Sequence, residues 1–84
     1  MPVLSRFYGI VIRMYFQQAE HNPPHVHAVY GEDTAEITIR DGAVLDGHLP
    51  PKALAMVREW VALNQNVLLR IWETQEFQAI PPLE

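Results

Sequence analysis

The sequence predicts an α+β fold, in which a small antiparallel sheet of about four strands, joined as hairpins, is followed by a C-terminal helical layer packed on one face. Two observations predict this class. In the first half of the chain apolar and polar residues alternate, which is the period of half-buried strands. After Gly47 the apolar residues recur every three or four positions, which is typical of amphipathic helices. Since 84 residues supply one core only, residues 1–84 are predicted to form a single domain.

Four segments show strand-like alternation: 10–16, 25–30, 34–40 and 43–46. The loop at 17–24 contains two prolines, which remove ladder donors and disfavour helix. Gly31-Glu32-Asp33 has the length of a hairpin turn. Asp41-Gly42 predicts a type I′ hairpin turn, because Gly adopts positive φ freely and Asp tolerates it.

The helical half is predicted to begin near Pro51. Proline lacks a backbone N–H, and N–H groups in the first turn of a helix have no intrahelical partner, so proline is tolerated there. Asn64-Gln65-Asn66 predicts a bend or break there, with either asparagine capping a second helix; the alternative is a continuous helix carrying these residues on its solvated side. The chain then ends in an extended tail, and we expect its Ile80 and Leu83 to pack back on the body.

Composition excludes several classes of protein. The chain is 49% hydrophobic and 19% charged, so a packed core rather than disorder is expected. The absence of cysteine excludes a disulfide framework and a thiol nucleophile. The net charge of -4 disfavours nucleic acid as a partner, since that work needs a basic surface. No stretch has the length and apolarity of a signal peptide or membrane span, so we expect a cytoplasmic location and no membrane association.

Three of the four histidines fall in the segment His21-Asn22-Pro23-Pro24-His25-Val26-His27. His25 and His27 share one side of a strand, and His21 approaches from the loop, so these three are the candidate metal ligands. A His-x-His pair needs a third ligand, and the candidates for it are His21, Glu20, Glu36 and His48. The cofactor would be a divalent metal such as zinc, although the spacing suits manganese, iron or nickel equally.

The same cluster has two other interpretations. Solvent alone selects a polar face on a half-exposed sheet, so the histidines could simply hydrogen-bond loop backbone groups. Alternatively His25 or His27 acts as a general acid or base while Arg13 or Arg40 stabilises an anionic transition state, as in metal-free phosphodiester cleavage. The candidate catalytic residues are therefore His25, His27 and Arg13.

Several strings of residues resemble a known family. They are Ser5-Arg6-Phe7-Tyr8-Gly9-Ile10, the run from His21 to Ala28, Leu49-Pro50, Trp60 and Trp72-Glu73. Together they cover nearly the whole chain and resemble the small bacterial domain-of-unknown-function family 4160. The resemblance implies a short, single-domain cytoplasmic protein, of a kind often encoded beside another small protein in a manner similar to toxin–antitoxin or regulatory pairs. It carries the family's histidine motif onto His21, His25 and His27.

Two functions follow as hypotheses. The first is a protein-binding or regulatory module, toxin–antitoxin-like in organisation, that works through a protein partner or as a homodimer joined at an open sheet edge. The alternative is a small metal- or histidine-dependent phosphodiesterase or ribonuclease that uses the cluster His21, His25 and His27. The acidic balance of the chain favours the first hypothesis over the second.

Overall fold

The computed structural model of the chain describes residues 3–15 and 23–84 and confirms the α+β class. Five strands and two helices follow in order: β1 (Val3–Phe7), β2 (Ile10–Arg13), β3 (His25–Tyr30), β4 (Asp33–Thr38), β5 (Val44–Gly47), α1 (Pro51–Leu63) and α2 (Gln65–Thr74). The sheet is an antiparallel meander with the spatial order β1-β2-β3-β4-β5. None of the helices in the described ranges is long and apolar enough to span a membrane.

The prediction of about four strands was one short, because β1 hides its alternation. Val3 lies opposite Arg13 while Ser5 lies opposite Ile12, so Leu4 is an extra residue in a β-bulge. Leu4 and Ser5 are consequently both buried, which removes the two-residue period. The predicted first strand, 10–16, corresponds to β2, which ends at Arg13. Phe16, the last residue of the predicted strand, lies outside the described residues.

The hairpin turns differ in detail from the prediction. Tyr30 pairs with Asp33, so the β3–β4 turn has two residues rather than three, and its Gly31 has a φ of 62°. The type I′ prediction for Asp41-Gly42 was wrong, because only Gly42 has positive φ. The β4–β5 connection is instead longer, and it is closed by the Thr38 hydroxyl, which accepts a hydrogen bond from the backbone N–H of Ala43 at 3.0 Å.

The core lies between one face of the sheet and the two helices, as the alternation predicted. The buried apolar residues of the strands are Leu4, Phe7, Ile10, Ile12, Val26, Ala28, Ala35 and Ile37, with Met14 and Ile39 just beyond strand ends, and the principal helical ones are Ala53, Val57, Trp60, Val61, Leu68, Ile71 and Trp72. The opposite, outer face of β2, β3 and β4 therefore carries the polar residues of the alternation.

The helical layer breaks where the sequence predicted. Pro51 occupies the first turn of α1, and Asn64 separates α1 from α2. Asn64 does not cap α2 through its side chain; its amide instead donates to the Trp60 carbonyl at 2.9 Å. The Gln65 side chain donates to the carbonyls of Ile39 and Arg40, at 3.2 and 2.9 Å. These bonds hold the start of α2 against the end of β4.

The C-terminal segment packs back on the body, as expected. Ile80 is buried, and its backbone N–H donates to the Leu4 carbonyl at 2.7 Å, so the tail lies along β1. The indole N–H of Trp60 donates to the Pro81 carbonyl at 2.9 Å, which ties the tail to α1 as well. Leu83 is partly buried against the core.

Candidate metal centre

A row of four polar residues crosses the outer face of the sheet, one from each of four adjacent strands. Arg13 of β2 lies opposite His27 of β3, His27 lies opposite Glu36 of β4, and Glu36 lies opposite Asp46 of β5. Directly opposed residues of antiparallel strands place their side chains on the same face with Cβ atoms about 5 Å apart. The meander therefore gathers these four charged or titratable groups in one line.

His25 lies two residues before His27 on the same face of β3. It lies opposite Thr38, so it is the diagonal neighbour of Glu36, within reach of a long side chain. One ligand atom each from His25, His27 and Glu36 lies within 4.8 Å of the others. Ligands of a zinc ion bound at about 2 Å are separated by roughly 3 to 3.5 Å, so small side-chain rotations bring these three atoms to coordinating distance.

The tautomer of His25 follows from its hydrogen bond. Nδ1 of His25 is 2.9 Å from the Pro23 carbonyl oxygen. A carbonyl only accepts, so Nδ1 carries the proton and donates, and Nε2 of neutral His25 bears the lone pair. Ligating histidines in proteins are commonly oriented in this way by a bond to the other ring nitrogen.

The lone pair of His25 faces a carboxylate. Nε2 of His25 is 3.7 Å from Oε1 of Glu36, which is too long for a hydrogen bond, and the side chains are 12% and 30% exposed. Two acceptors that face each other in a half-buried setting need a donor or a cation between them: a proton on Nε2, a bridging water or a metal ion. This pair is thus the feature of the cluster on which a metal site would depend most directly.

His27 is held neutral by its surroundings. Burial lowers the pKa of His27 from its ordinary value of 6.5; the Glu36 carboxylate raises it, and His25 lowers it further. Its ring packs against Tyr15 with a centroid distance of 4.0 Å and lies 5.1 Å from the ring of His25. A neutral imidazole fixed by aromatic packing is in the protonation state that metal coordination requires.

The ring of His25 also contacts the helical layer. The ring of His25 lies 5.1 Å from the indole of Trp72, which is 8% exposed. Trp72 belongs to α2, which is anchored to the end of β4 by Gln65, so the helical layer supports one edge of the cluster. Trp72 is buried in α2, and its contact with His25 links the helical layer to the candidate site.

The structure brings together some of the predicted site residues and not others. His25, His27 and Arg13 lie on the outer face, and Glu36 is the third member of the cluster whose ligand atoms lie within 4.8 Å of one another. His21 and Glu20 lie outside the described residues. His48 is not part of the three-residue cluster found in the described ranges, and Arg40 is exposed beyond the end of β4.

Glu36 could have been singled out from the sequence by the register of the hairpin. A two-residue turn at Gly31-Glu32 pairs Tyr30 with Asp33, and three steps away from the turn on each strand it pairs His27 with Glu36. With a three-residue turn the pairing is shifted, and a shift of one residue moves side chains to the other face. The length of the β3–β4 turn, rather than the spacing of the histidines, therefore identifies Glu36 as the residue opposite His27.

The comparison with protein-family models matches residues 9–73 to the domain of unknown function DUF4160. The chain belongs to the DUF4160 family. The matched range contains Arg13, His25, His27 and Glu36, so the whole candidate centre of this DUF4160 protein lies inside the shared domain. Searches of the curated proteins and of the solved structures find no match.

Proposed function

We propose that this DUF4160 protein is a small metal-dependent hydrolase that holds a divalent ion, zinc in preference to manganese, between His25, His27 and Glu36. The proposal depends on one observation: Nε2 of His25 and Oε1 of Glu36 face each other at 3.7 Å, with His27 completing a set of ligand atoms within 4.8 Å. Catalytic zinc sites use three protein ligands of this kind and keep a further position for water or substrate. Zinc also binds nitrogen and oxygen ligands more tightly than manganese does.

The chemistry of the site follows from its ligands. A divalent ion held by two neutral imidazoles and one carboxylate would retain positive charge, and it would supply the Lewis acidity that activates water and polarises an ester. In the net reaction the oxygen of water bonds to the central atom of the ester, the bond to the leaving oxygen breaks, and that oxygen takes up the proton. The chain contributes orientation, since Pro23 fixes His25 and Tyr15 packs on His27.

The position of Glu36 favours the metal-dependent enzyme over the regulatory module, which the sequence alone had favoured. A His-x-His pair alone is an incomplete site, whereas two histidines and a carboxylate form a recurrent catalytic ligand set. The net charge of -4 disfavours a long nucleic-acid footprint but does not bear on a compact site of three ligands.

Calorimetric titration of metal-stripped protein with zinc tests the metal site. We expect one ion per chain, and Glu36→Gln should weaken the affinity at least about tenfold because it removes the charged ligand. Asp46→Asn is the matched control, since Asp46 lies opposite Glu36 in the sheet but outside the three-ligand cluster. No stoichiometric zinc binding, or equal affinity in Glu36→Gln, contradicts the proposal.

A panel of chromogenic carboxylic, phosphate monoester and phosphate diester substrates tests the reaction. The zinc-loaded protein is expected to release the chromophore from at least one of them, and a chelator or the Glu36→Gln substitution should abolish the release. A stoichiometrically loaded protein that cleaves none faster than free zinc contradicts the hydrolase.

The second candidate is a regulatory module, including one of the toxin–antitoxin type, that acts as a homodimer through β5. All four residues of β5 are exposed, and β5 is an edge of the sheet formed by the described residues. Asp46 pairs with Glu36 and Val44 pairs with Ile37, so Leu45 is an extra residue in a bulge; Val44 and Leu45 are both exposed. An open edge with apolar side chains favours pairing with a second copy.

Sedimentation analysis over a range of protein concentrations tests this candidate. The wild-type protein should form a dimer that Leu45→Lys weakens, because a lysine on an edge strand opposes pairing. Leu63→Lys is a control, since Leu63 is exposed on α1, away from β5. A wild-type protein that remains monomeric at every concentration contradicts the homodimer.

A further inference from the structure

Arg13 has a buried donor that the described part of the chain does not satisfy. Its Nε is shielded from solvent and has no hydrogen-bond partner among residues 3–15 and 23–84. A buried guanidinium nitrogen without a partner is costly, so a polar group beyond the described residues is expected to complete it, and a ligand is one such group.

The position of Arg13 places this donor beside the proposed metal ligands. Arg13 lies directly opposite His27 across the β2–β3 pair, and Glu36 lies opposite His27 on the far side, in β4. The guanidinium and the carboxylate thus flank the histidine from opposite strands. An anion held near Arg13 can approach an ion bound at His27 from the β2 side, away from the Glu36 carboxylate.

The charge of the assembled site suits an anion. A divalent ion, one guanidinium and one carboxylate leave about two positive charges when both histidines are neutral. Tyr15 lies two residues after Arg13 on the same outer face, and its ring packs on the ring of His27. Its phenol hydroxyl is a polar group at the end of an apolar ring. Arg13 itself lies between Val3 of β1 and His27 of β3 in the register of the sheet.

Guanidinium chemistry selects among anions. Arg presents a planar fork that binds two oxygens of one phosphate or carboxylate. A carboxylate has only two oxygens, so one of them has to serve both the fork and the ion. A phosphate monoester has three terminal oxygens, so two can fill the fork while the third reaches the ion; a diester, with two terminal oxygens, has to share one of them.

We infer that the substrate of this site carries a phosphate ester, and that Arg13 is the residue that receives the phosphate while one of its other oxygens reaches the metal ion. The inference deepens the proposed hydrolase and rests on its metal site. It also assigns a role to Arg13 that differs from stabilising a metal-free transition state, because Arg13 here binds the substrate in the ground state.

Binding of small phosphate probes tests the inference. We would titrate zinc-loaded protein with methyl phosphate and dimethyl phosphate by ³¹P NMR, and with acetate by ¹³C NMR of the labelled anion. For the wild-type protein we expect saturable binding of at least one phosphate probe and weaker binding of acetate. Arg13→Gln should lose roughly tenfold to a hundredfold in phosphate affinity, the range that a charge-assisted hydrogen bond provides. The tighter probe identifies the substrate as monoester or diester.

The variants separate Arg13 from the metal site. Arg6→Gln is the matched control, since Arg6 is an exposed arginine on the neighbouring strand β1, and it should bind as wild type does. Zinc stoichiometry in Arg13→Gln should stay at one ion per chain. If Arg13→Gln does not fold, Arg13→Lys replaces it, because lysine keeps the charge but loses the fork; its phosphate affinity should fall at least about threefold.

Several results overturn the inference. They are equal phosphate affinity in wild type and in the folded Arg13 variant, acetate binding as tight as phosphate, and no phosphate binding at all. If the wild-type protein binds no zinc, the proposed hydrolase fails separately, and the titration is repeated on metal-free protein. Arg13-dependent phosphate binding there sustains the anion site, and its absence overturns it.

Discussion

The carbonyl oxygen of Pro23 accepts a hydrogen bond from Nδ1 of His25 at 2.9 Å, and this bond turns Nε2 of His25 towards the Glu36 carboxylate. The Pro23-Pro24 pair therefore does more than disfavour regular secondary structure before β3. It supplies a backbone acceptor that fixes the tautomer of the first histidine, so the ring presents its lone pair where the other two ligand atoms converge.

The two nitrogens of His25 can be separated by substitution. In His25→Asn, the side-chain amide nitrogen replaces Nδ1 and can still donate to Pro23, but nothing replaces Nε2. We expect the free energy of unfolding to change by less than about 1.5 kcal/mol, because one neutral hydrogen bond is retained. Zinc affinity should fall at least about tenfold, since one ligand is missing. Urea denaturation and calorimetric zinc titration measure the two quantities.

His48→Asn serves as the control for this substitution, because His48 is an exposed histidine outside the three-residue cluster. It should leave zinc affinity unchanged. Equal loss of affinity in both variants would show that zinc binds diffusely to histidines rather than to the cluster.

Trp72 should report metal binding by its fluorescence. Its indole lies 5.1 Å from the ring of His25, whereas Trp60 packs on Phe7, at the end of β1 that pairs with Ile10. In a Trp60→Phe variant, nickel should quench the remaining emission and saturate at one equivalent, because open-shell ions quench over short distances. Zinc, with a closed shell, should quench far less. Trp72→Phe should lose the nickel response; a full response in that variant contradicts the placement of the ion.

Gly47→Ala should destabilise the fold strongly. Gly47 has a φ of 85°, and a Cβ there would clash with the Thr34 carbonyl oxygen and lie 2.9 Å from the Cα of Ala35. Neither backbone atom can move without opening the β4–β5 pair, so we expect a loss of roughly 2 to 4 kcal/mol in the free energy of unfolding. Chemical denaturation measures it.

Gly31→Ala isolates the contribution of the backbone conformation in this experiment. Gly31 also has positive φ, at 62°, but a Cβ there meets nothing within 4 Å. The expected loss is about 1 kcal/mol, from the left-handed conformation alone. Similar losses at both glycines would contradict the importance of the close approach at Gly47.

Tyr8→Asn should stabilise the protein. Tyr8 has a φ of 51° in the turn between β1 and β2, is 60% exposed, and precedes Gly9 with a φ of 80°. Positive φ at both central positions is the type I′ pattern, which Asn-Gly satisfies better than Tyr-Gly. We expect a gain of about 0.5 to 1 kcal/mol by urea denaturation. Tyr30→Asn, which removes the ring packed on Gly9, should lower stability; a loss in Tyr8→Asn would mean that the exposed ring makes stabilising contacts.

The sequence by itself determined the elements with regular periods. The alternation in β3 placed His25 and His27 on the outer face and Val26 and Ala28 in the core, and the structure agrees. Side-chain direction in a strand is a local property, because successive residues point to opposite faces whatever the strand pairs with. The break at Asn64 and the helix start at Pro51 were predictable for the same reason, since both follow from local backbone preferences.

Irregular local structure could not be predicted from the periodicity of the sequence. The bulge at Leu4 buries two consecutive residues of β1, and the short period that marks a strand is lost. The longer β4–β5 connection depends on the Thr38 hydroxyl and on Arg58 of α1, whose Nε donates to the Gly42 carbonyl at 2.7 Å. That second contact joins residues distant in sequence, so the Asp41-Gly42 dipeptide alone could not select the turn.

Only the tertiary structure decided which residues complete the candidate site. The sequence left Glu36 as one possible third ligand among four, because the spacing of histidines carries no information about neighbouring strands. The meander order and the two-residue turn at Gly31-Glu32 place Glu36 opposite His27 and Arg13 on its other side. Strand order and register arise from burying one face of the whole sheet under α1 and α2, since a slip of one residue would expose that face. The sequence supplies the histidines, the carboxylate and the arginine, but the packing of the sheet against the helices brings them together.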